Sequence, residues 1–379
     1  MKALVLKSKG IIEYMDKVEP QLKDDHGVIL TPLIVSPCTT DVHTIWYGSP
    51  KKENLTLGHE CIAKIVSVGS DVTDFEIDDI VAVSAITPDW GHPDVKTNPS
   101  HAGTNFSAHM LGNSEDGAFQ ELFYVPYADK NLAHIPNNVS LEDALMCVDV
   151  VATGFTAVED ANISYGDTVL VMGIGAIGLS AIMGAKLRNA KKIFAIGSRD
   201  ENVALAKKLG AEVLNYKTLK CNLPEDMHPK ANSTNSDIVN YILKNTNNKG
   251  VDSVLICGGN DDSFSQAIDV VKYGTGVVAN VMYYGDNTIV STRNSDYIMV
   301  PKFSIGKGMA GKTLKFSLAK GGRKRIEKLL KLCSEDKIHP KIFISKKYYG
   351  LDKIKQGIYD MKKRKAIKVA IYLNNEEMI

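Results

Sequence analysis

The apolar positions of the chain change period near residue 140. Before that point, short runs rich in β-branched and aromatic residues recur between Gly, Pro and Asp turns: 3–6, 28–31, 61–68, 80–83 and 119–125. Several alternate apolar with polar positions, the period of a half-buried strand, and together they predict an irregular β-barrel domain. The stretch 87–117 is polar and lacks periodic apolar positions, which marks it as functional or partner-contacting surface.

From Ser140 the pattern becomes helical and then alternating. Ser140-Leu-Glu-Asp143 resembles a capping box, with Asp where Glu or Gln is preferred, and predicts a helix running toward Asp160. Apolar runs at 169–172, 193–196, 213–214, 254–257 and 277–281 then alternate with helical patterns near 176–189, 200–209, 237–246 and 263–272. Such alternation predicts a doubly wound parallel sheet with helices on both faces. Residues 218–236, rich in Asn, Lys and Pro, read as an insertion loop without chemistry. Past Asn280 the alternation fades: 286–321 is irregular, a charged helix covers 323–332, and a helix at 351–362 leads to a strand at 367–373. From pattern alone these last elements either extend the parallel sheet or return to the first domain.

Composition narrows the class. A chain of 379 residues has room for two domains. A hydrophobic content of 44% with a net charge of +1 describes a soluble protein and gives no electrostatic case for nucleic acid or an anionic membrane as partner. The six cysteines are scattered without a paired framework, the N-terminal apolar run is too short for a signal peptide, and no run reaches the roughly 18 apolar residues of a membrane span. The expectation is a reduced, cytoplasmic protein.

Thr168-Val-Leu-Val-Met-Gly-Ile-Gly-Ala-Ile-Gly-Leu179 is the stretch richest in chemistry. A buried strand runs into Gly173-x-Gly175-x-x-Gly178 and then into an Ala-rich helix. Gly173 permits the tight turn, Gly175 lets the backbone approach a pyrophosphate, and Gly178 allows close helix–strand packing, with Ala176 and Ile177 opening the helix whose N-terminus receives the phosphates. In the first half, Cys38, His59 and Glu60, and later Cys147 and Asp149, are residue types that hold a metal. By spacing alone a lone cysteine or histidine is more often a packed core residue than a ligand.

The stretches Cys38-Thr-Thr-Asp-Val-His-Thr44, Gly58-His-Glu60, Ala85-Ile-Thr-Pro-Asp-Trp-Gly91, Asp149-x-x-x-Thr-Gly-Phe155 and Gly173-Ile-Gly-x-x-Gly-Leu179, in this order, resemble the medium-chain zinc alcohol dehydrogenases, and within them the NADP-dependent secondary-alcohol branch. The resemblance implies a GroES-like β-barrel catalytic domain built from residues 1–152 and 297–379 around a Rossmann domain at 153–296. It implies that Cys38, His59 and Asp149 hold one catalytic zinc, with Glu60 beside it. Cys147 is a rival third ligand, because other branches carry cysteine there; two helical residues so spaced point about 200° apart, so both cannot face the metal, and the register of Thr153-Gly-Phe155 favours Asp149. Thr40 and His43 fall where the family relays the substrate proton, and the implied chemistry is hydride transfer between an alcohol or ketone and a nicotinamide.

For the cofactor, an NAD site places a carboxylate about 20 residues beyond the glycines. Here Gly197-Ser198-Arg199 stands at the end of the second strand, and Arg is well shaped to bind a 2′-phosphate. Tyr216 matches a family position lining the same pocket. NADP is therefore expected, although Asp200 would favour NAD if it rather than Gly197 faced the ribose. The four-cysteine lobe that binds a structural zinc in many relatives has no counterpart in residues 84–146, so one zinc per chain is implied. A homotetramer is implied by resemblance. His109 and Thr156 depart from the branch pattern, where tryptophan and histidine stand, and leave open a polyol or aldehyde substrate. A non-enzymatic NADPH-binding protein is the alternative of a different class, disfavoured by the Cys38, His59, Asp149 set.

Overall fold

The computed structural model describes residues 1–48, 52–88, 90–91, 95, 110–222, 236–260, 263–282 and 309–373. His109, most of the polar stretch 87–117, most of the insertion 218–236 and the irregular segment up to 308 lie outside the described residues. The chain forms two compact units, one made of Met1–Ala152 with Ala319–Ile379, the other of Thr153–Leu318.

In the first unit the sheet order is Ile344–Tyr349, Lys368–Tyr372, Val28–Val35, Cys61–Val68, Ile80–Val83 and Leu132–His134, with Phe123–Val125 also pairing to Val28–Val35. A smaller sheet joins Ile11–Asp16, Lys2–Ser8 and Leu55–Thr56. Most pairs are antiparallel, and their inward residues, among them Leu4, Leu30, Ile65, Phe119, Phe123, Val369 and Ile371, form one buried cluster. The C-terminal strand closes this unit, Ile371 and Tyr372 pairing with Val35 and Ile34. The run predicted as a strand over 119–125 is shorter, Phe123–Val125, because Phe119 and Gln120 turn toward the N-terminal strand, where Leu4 N donates to Phe119 O.

The second unit is a six-stranded sheet in the order Glu212–Leu214, Lys192–Ile196, Thr168–Met172, Ser253–Ile256, Val277–Asn280, Thr313–Phe316, every adjacent pair parallel. This is the doubly wound arrangement, with the order reversing beside Thr168–Met172. The domain expected to end at residue 296, with 286–321 irregular, extends further. The sixth strand moves the boundary to Leu318, because Thr313–Phe316 pairs with Val277–Asn280 in full register.

The helix expected from Ser140 toward Asp160 is not continuous. An α-helix, Leu141–Met146, capped by Ser140 Oγ accepting from Asp143 N, widens into a π turn at Cys147–Val151 before Ala152–Asp160 resumes the α form. Partners outside the helix occupy carbonyls at this widened turn and just after it: Ala85 N donates to Val148 O at 3.4 Å, and Arg325 Nη2 to Ala152 O at 3.1 Å. Single π turns of this kind occur often at functional sites.

Candidate active site

Three separate stretches of the first unit converge. Cys38 caps the short helix Thr39–Trp46, His59 and Glu60 precede the strand Cys61–Val68, and Asp149 projects from the π turn. One ligating atom from each of Cys38, His59, Glu60 and Asp149 lies within 4.8 Å of every other. Cys38 Sγ is 3.6 Å from Asp149 Oδ2, and His59 Nε2 is 3.8 Å from the same oxygen. Tetrahedral coordination at ordinary zinc–ligand lengths separates ligand atoms by about 3.3–3.8 Å, so these spacings suit such an ion.

The electrostatics point the same way. Among the described residues Glu60 Oε2 is buried with no hydrogen-bond partner, and the acidic side chains Cys38, Glu60 and Asp149 gather beside a single buried ammonium, Lys368. Burial, then the Asp149 and Glu60 charges, push the Cys38 thiol well above its ordinary value. Burial likewise pushes Glu60 up to about 8 against the pull of Lys368. A bound divalent cation reverses both effects, because it deprotonates a coordinating thiol and stabilises carboxylates. The residues fit a metal ion.

Two residues that the motifs did not single out hold these side chains in place. Asp41, buried, accepts from Cys38 N at 2.8 Å and from Gly58 N at 3.2 Å, and its Oδ1 lies 3.7 Å from His59 Nδ1. It thus ties the two ligand loops together and faces the second nitrogen of the imidazole, the arrangement that fixes a ligating histidine's orientation. Lys368, on the last strand, donates to Glu60 Oε1 at 2.7 Å and to Pro37 O at 2.9 Å. Asp41 lies inside the Cys38–Thr44 motif, but its bonds to both loops depend on the helix Thr39–Trp46, which the apolar pattern did not announce. Lys368 carried no signal, because it is far along the chain from both partners.

Cys147 does not join this group. It is buried with its Sγ 3.6 Å from that of Cys333, on the helix Arg323–Ser334. Thr40 Oγ1 lies 3.6 Å from Cys38 Sγ on an exposed residue. His43, one helical turn further, is partly buried against Tyr47, and burial lowers its pKa.

In the second unit, Gly173, at the end of the strand Thr168–Met172, has φ +82°, in the left-handed region open to glycine. A Cβ on Gly178 would lie 1.8 Å from Gly173 O, so the helix Ala176–Leu187 packs against the turn only because the side chain is missing. Around Gly175, the helix cap, a Cβ would meet nothing within 4 Å among the described residues, which leaves its backbone open to a ligand. Ala176, Ile177 and Gly178 form the first turn, where helix amides have no carbonyl above them. Gly197 and Ser198 follow the next strand, and Arg199 caps the helix Asp200–Lys208. Asp200, exposed, opens that helix, and Tyr216 is exposed beyond the following strand. Thr156 is fully buried on the helix Ala152–Asp160.

Comparison with known proteins agrees with this geometry. Residues 24–137 match the family model of the alcohol dehydrogenase GroES-like domain, and residues 176–332 that of the zinc-binding dehydrogenases. The chain is 38% identical to the NADP-dependent isopropanol dehydrogenase of Thermoanaerobacter brockii over 365 residues, 96% of each chain. It is 38% identical to the enzyme of the same name from Entamoeba histolytica over 369 residues, 97% of this chain and 93% of that one. Among solved structures, alcohol dehydrogenase TADH from Thermus sp. ATN1 has the same fold, with a TM-score of 0.80 at 24% identity, covering 99% of this chain and 100% of that one. The GroES-like unit, the Rossmann unit and the identity over nearly the whole length place this chain in the medium-chain zinc alcohol dehydrogenase family, in its NADP-dependent secondary-alcohol branch.

Proposed function

We propose that this chain interconverts secondary alcohols and ketones, with Cys38, His59 and Asp149 holding one zinc and the Gly173–Gly178 turn holding NADP(H). The observation that carries the reading is the convergence of those three side chains and Glu60 within 4.8 Å, with a buried Glu60 oxygen that lacks a hydrogen-bond partner among the described residues. The relatives named above supply the substrate class and the cofactor. When bound, zinc supplies a Lewis acid for the alcohol or ketone oxygen and the nicotinamide supplies the hydride acceptor or donor.

The chain's own residues do the rest. Thr40, beside Cys38, offers a hydroxyl to take or return the substrate proton. His43 lies on the same face of its helix, and its lowered pKa keeps it neutral and able to accept a proton near pH 7. The open backbone at Gly175 and the first-turn amides of Ala176–Gly178 receive the pyrophosphate. Ser198 and Arg199 take the 2′-phosphate, Gly197 leaves no carboxylate to repel it, and Tyr216 lines the same pocket. Exposed Asp200 is the group that would instead favour NAD. Glu60, anchored by Lys368, stands beside the metal as an exchangeable ligand.

No helix among the described residues is long and apolar enough to cross a membrane. A cytoplasmic homotetramer with one zinc per chain and no structural zinc belongs to the same reading, checked by light scattering together with metal analysis. The activity is tested by initial rates for acetone, 2-butanone, acetaldehyde and a ketose with NADPH and with NADH on zinc-loaded protein. Fast NADPH-specific turnover of the simple ketones is expected. Binding of NADPH without turnover of any of them would move the substrate to another carbonyl class.

A further inference from the structure

Asn202 stands in the first turn of the helix Asp200–Lys208, three residues past Arg199, and is only 1% exposed. Its Nδ2 donates to the carbonyl of Ile174 at 2.6 Å. Ile174 is the residue between Gly173 and Gly175, in the middle of the pyrophosphate turn. The Ile174 side chain is held by the same segment: a Cβ on Gly197 would come within 2.0 Å of Ile174 Cγ1, so that side chain occupies the space glycine leaves. One residue of the first turn is thus gripped twice, through its side chain at Gly197 and through its carbonyl at Asn202. Both contacts come from the stretch that presents Ser198 and Arg199. An amide buried this deeply holds its place through its hydrogen bond, and removing it orphans a buried carbonyl.

We propose that Asn202 is a positioning residue that couples the pyrophosphate turn to the 2′-phosphate segment, so that both phosphate groups of NADP(H) meet one rigid surface. The inference rests on the NADP reading given above. Asn202 acts through Ile174 and Arg199 rather than by touching substrate. Its loss lets the turn and the segment move independently, which weakens binding of the dinucleotide without altering the chemistry at the metal.

A double-mutant cycle tests this, with N202A, R199A and the combined variant titrated with NADPH and NADH by fluorescence in the absence of substrate, alongside melting temperature, zinc content and steady-state kinetics. N202A is expected to raise the NADPH Kd about tenfold, with zinc content unchanged and kcat at saturating cofactor within about twofold. In the R199A background the same substitution is expected to cost about twofold or less, because the 2′-phosphate contact it aligns is already gone. N202S, which keeps a donor, should recover part of the loss, and it carries the cycle if N202A does not fold. Equal losses in both backgrounds would overturn the coupling while leaving the NADP reading intact, provided R199A by itself abolishes the preference for NADPH. An unchanged preference in R199A would overturn the NADP reading and the coupling together.

Discussion

Lys368 Nζ donates to Glu60 Oε1 across 2.7 Å with both side chains in the interior, and it also reaches the carbonyl of Pro37, next to Cys38. The strand Lys368–Tyr372 therefore braces both loops that carry the proposed metal ligands. Removing one partner of a buried ion pair leaves the other charge unpaired, which typically costs about 3–5 kcal/mol. K368M is predicted to destabilise the protein on that scale in denaturant melts, and E60Q/K368M to recover a substantial part. A K368M protein as stable as wild type would show that the pair does not organise the site.

The two candidates for the third ligand separate cleanly. Asp149 lies 3.6 Å from Cys38 Sγ and 3.8 Å from His59 Nε2, whereas Cys147 faces Cys333. D149N is predicted to lower zinc affinity more than about tenfold, exceeding the loss of a single outer-shell contact. C147A should retain wild-type zinc content and turnover within about twofold. Metal analysis after dialysis checks both, and zinc loss from C147A with retention by D149N would reverse the assignment.

Acid stability has an identifiable contributor outside the metal site. Burial raises the pKa of Asp116, but hydrogen bonds from Lys17 Nζ at 2.7 Å and Thr56 N at 2.9 Å outweigh it and hold the carboxyl below its usual range. The folded-state pKa lies under the unfolded value of about 3.9. The contribution is therefore full above that value and is lost as pH falls through the folded pKa. D116N should be less stable than wild type by about 1 kcal/mol or less near pH 6, and the gap should close as pH drops below about 4. A gap that widens with acid would show the wrong sign of shift.

Much of this architecture was legible in the chain because it rests on local pattern. The alternation from Val169 to Val281 needs only apolar periodicity and glycine, and the Gly173–Gly178 turn lies in one stretch. The sixth parallel strand escaped because Thr313–Phe316 is only four residues long and mostly exposed at a sheet edge, so the alternation of Leu314 and Phe316 is too short to stand out. The π turn at Cys147–Val151 escaped because the outside donors at and just after it, Ala85 N and Arg325, are distant in sequence. Cys38, His59 and Asp149 were recognisable as ligand types from motif order, but their convergence depends on strands that pair across the whole unit. Asp41, Lys368 and Asn202 act through contacts formed only on folding.

The most direct test is NADPH-dependent reduction of acetone as zinc is removed by a chelator and then restored. The account predicts that the rate falls with bound zinc to background, and returns in proportion as zinc is added back, reaching its full value at one ion per chain. Undiminished turnover by protein shown to be zinc-free would contradict it.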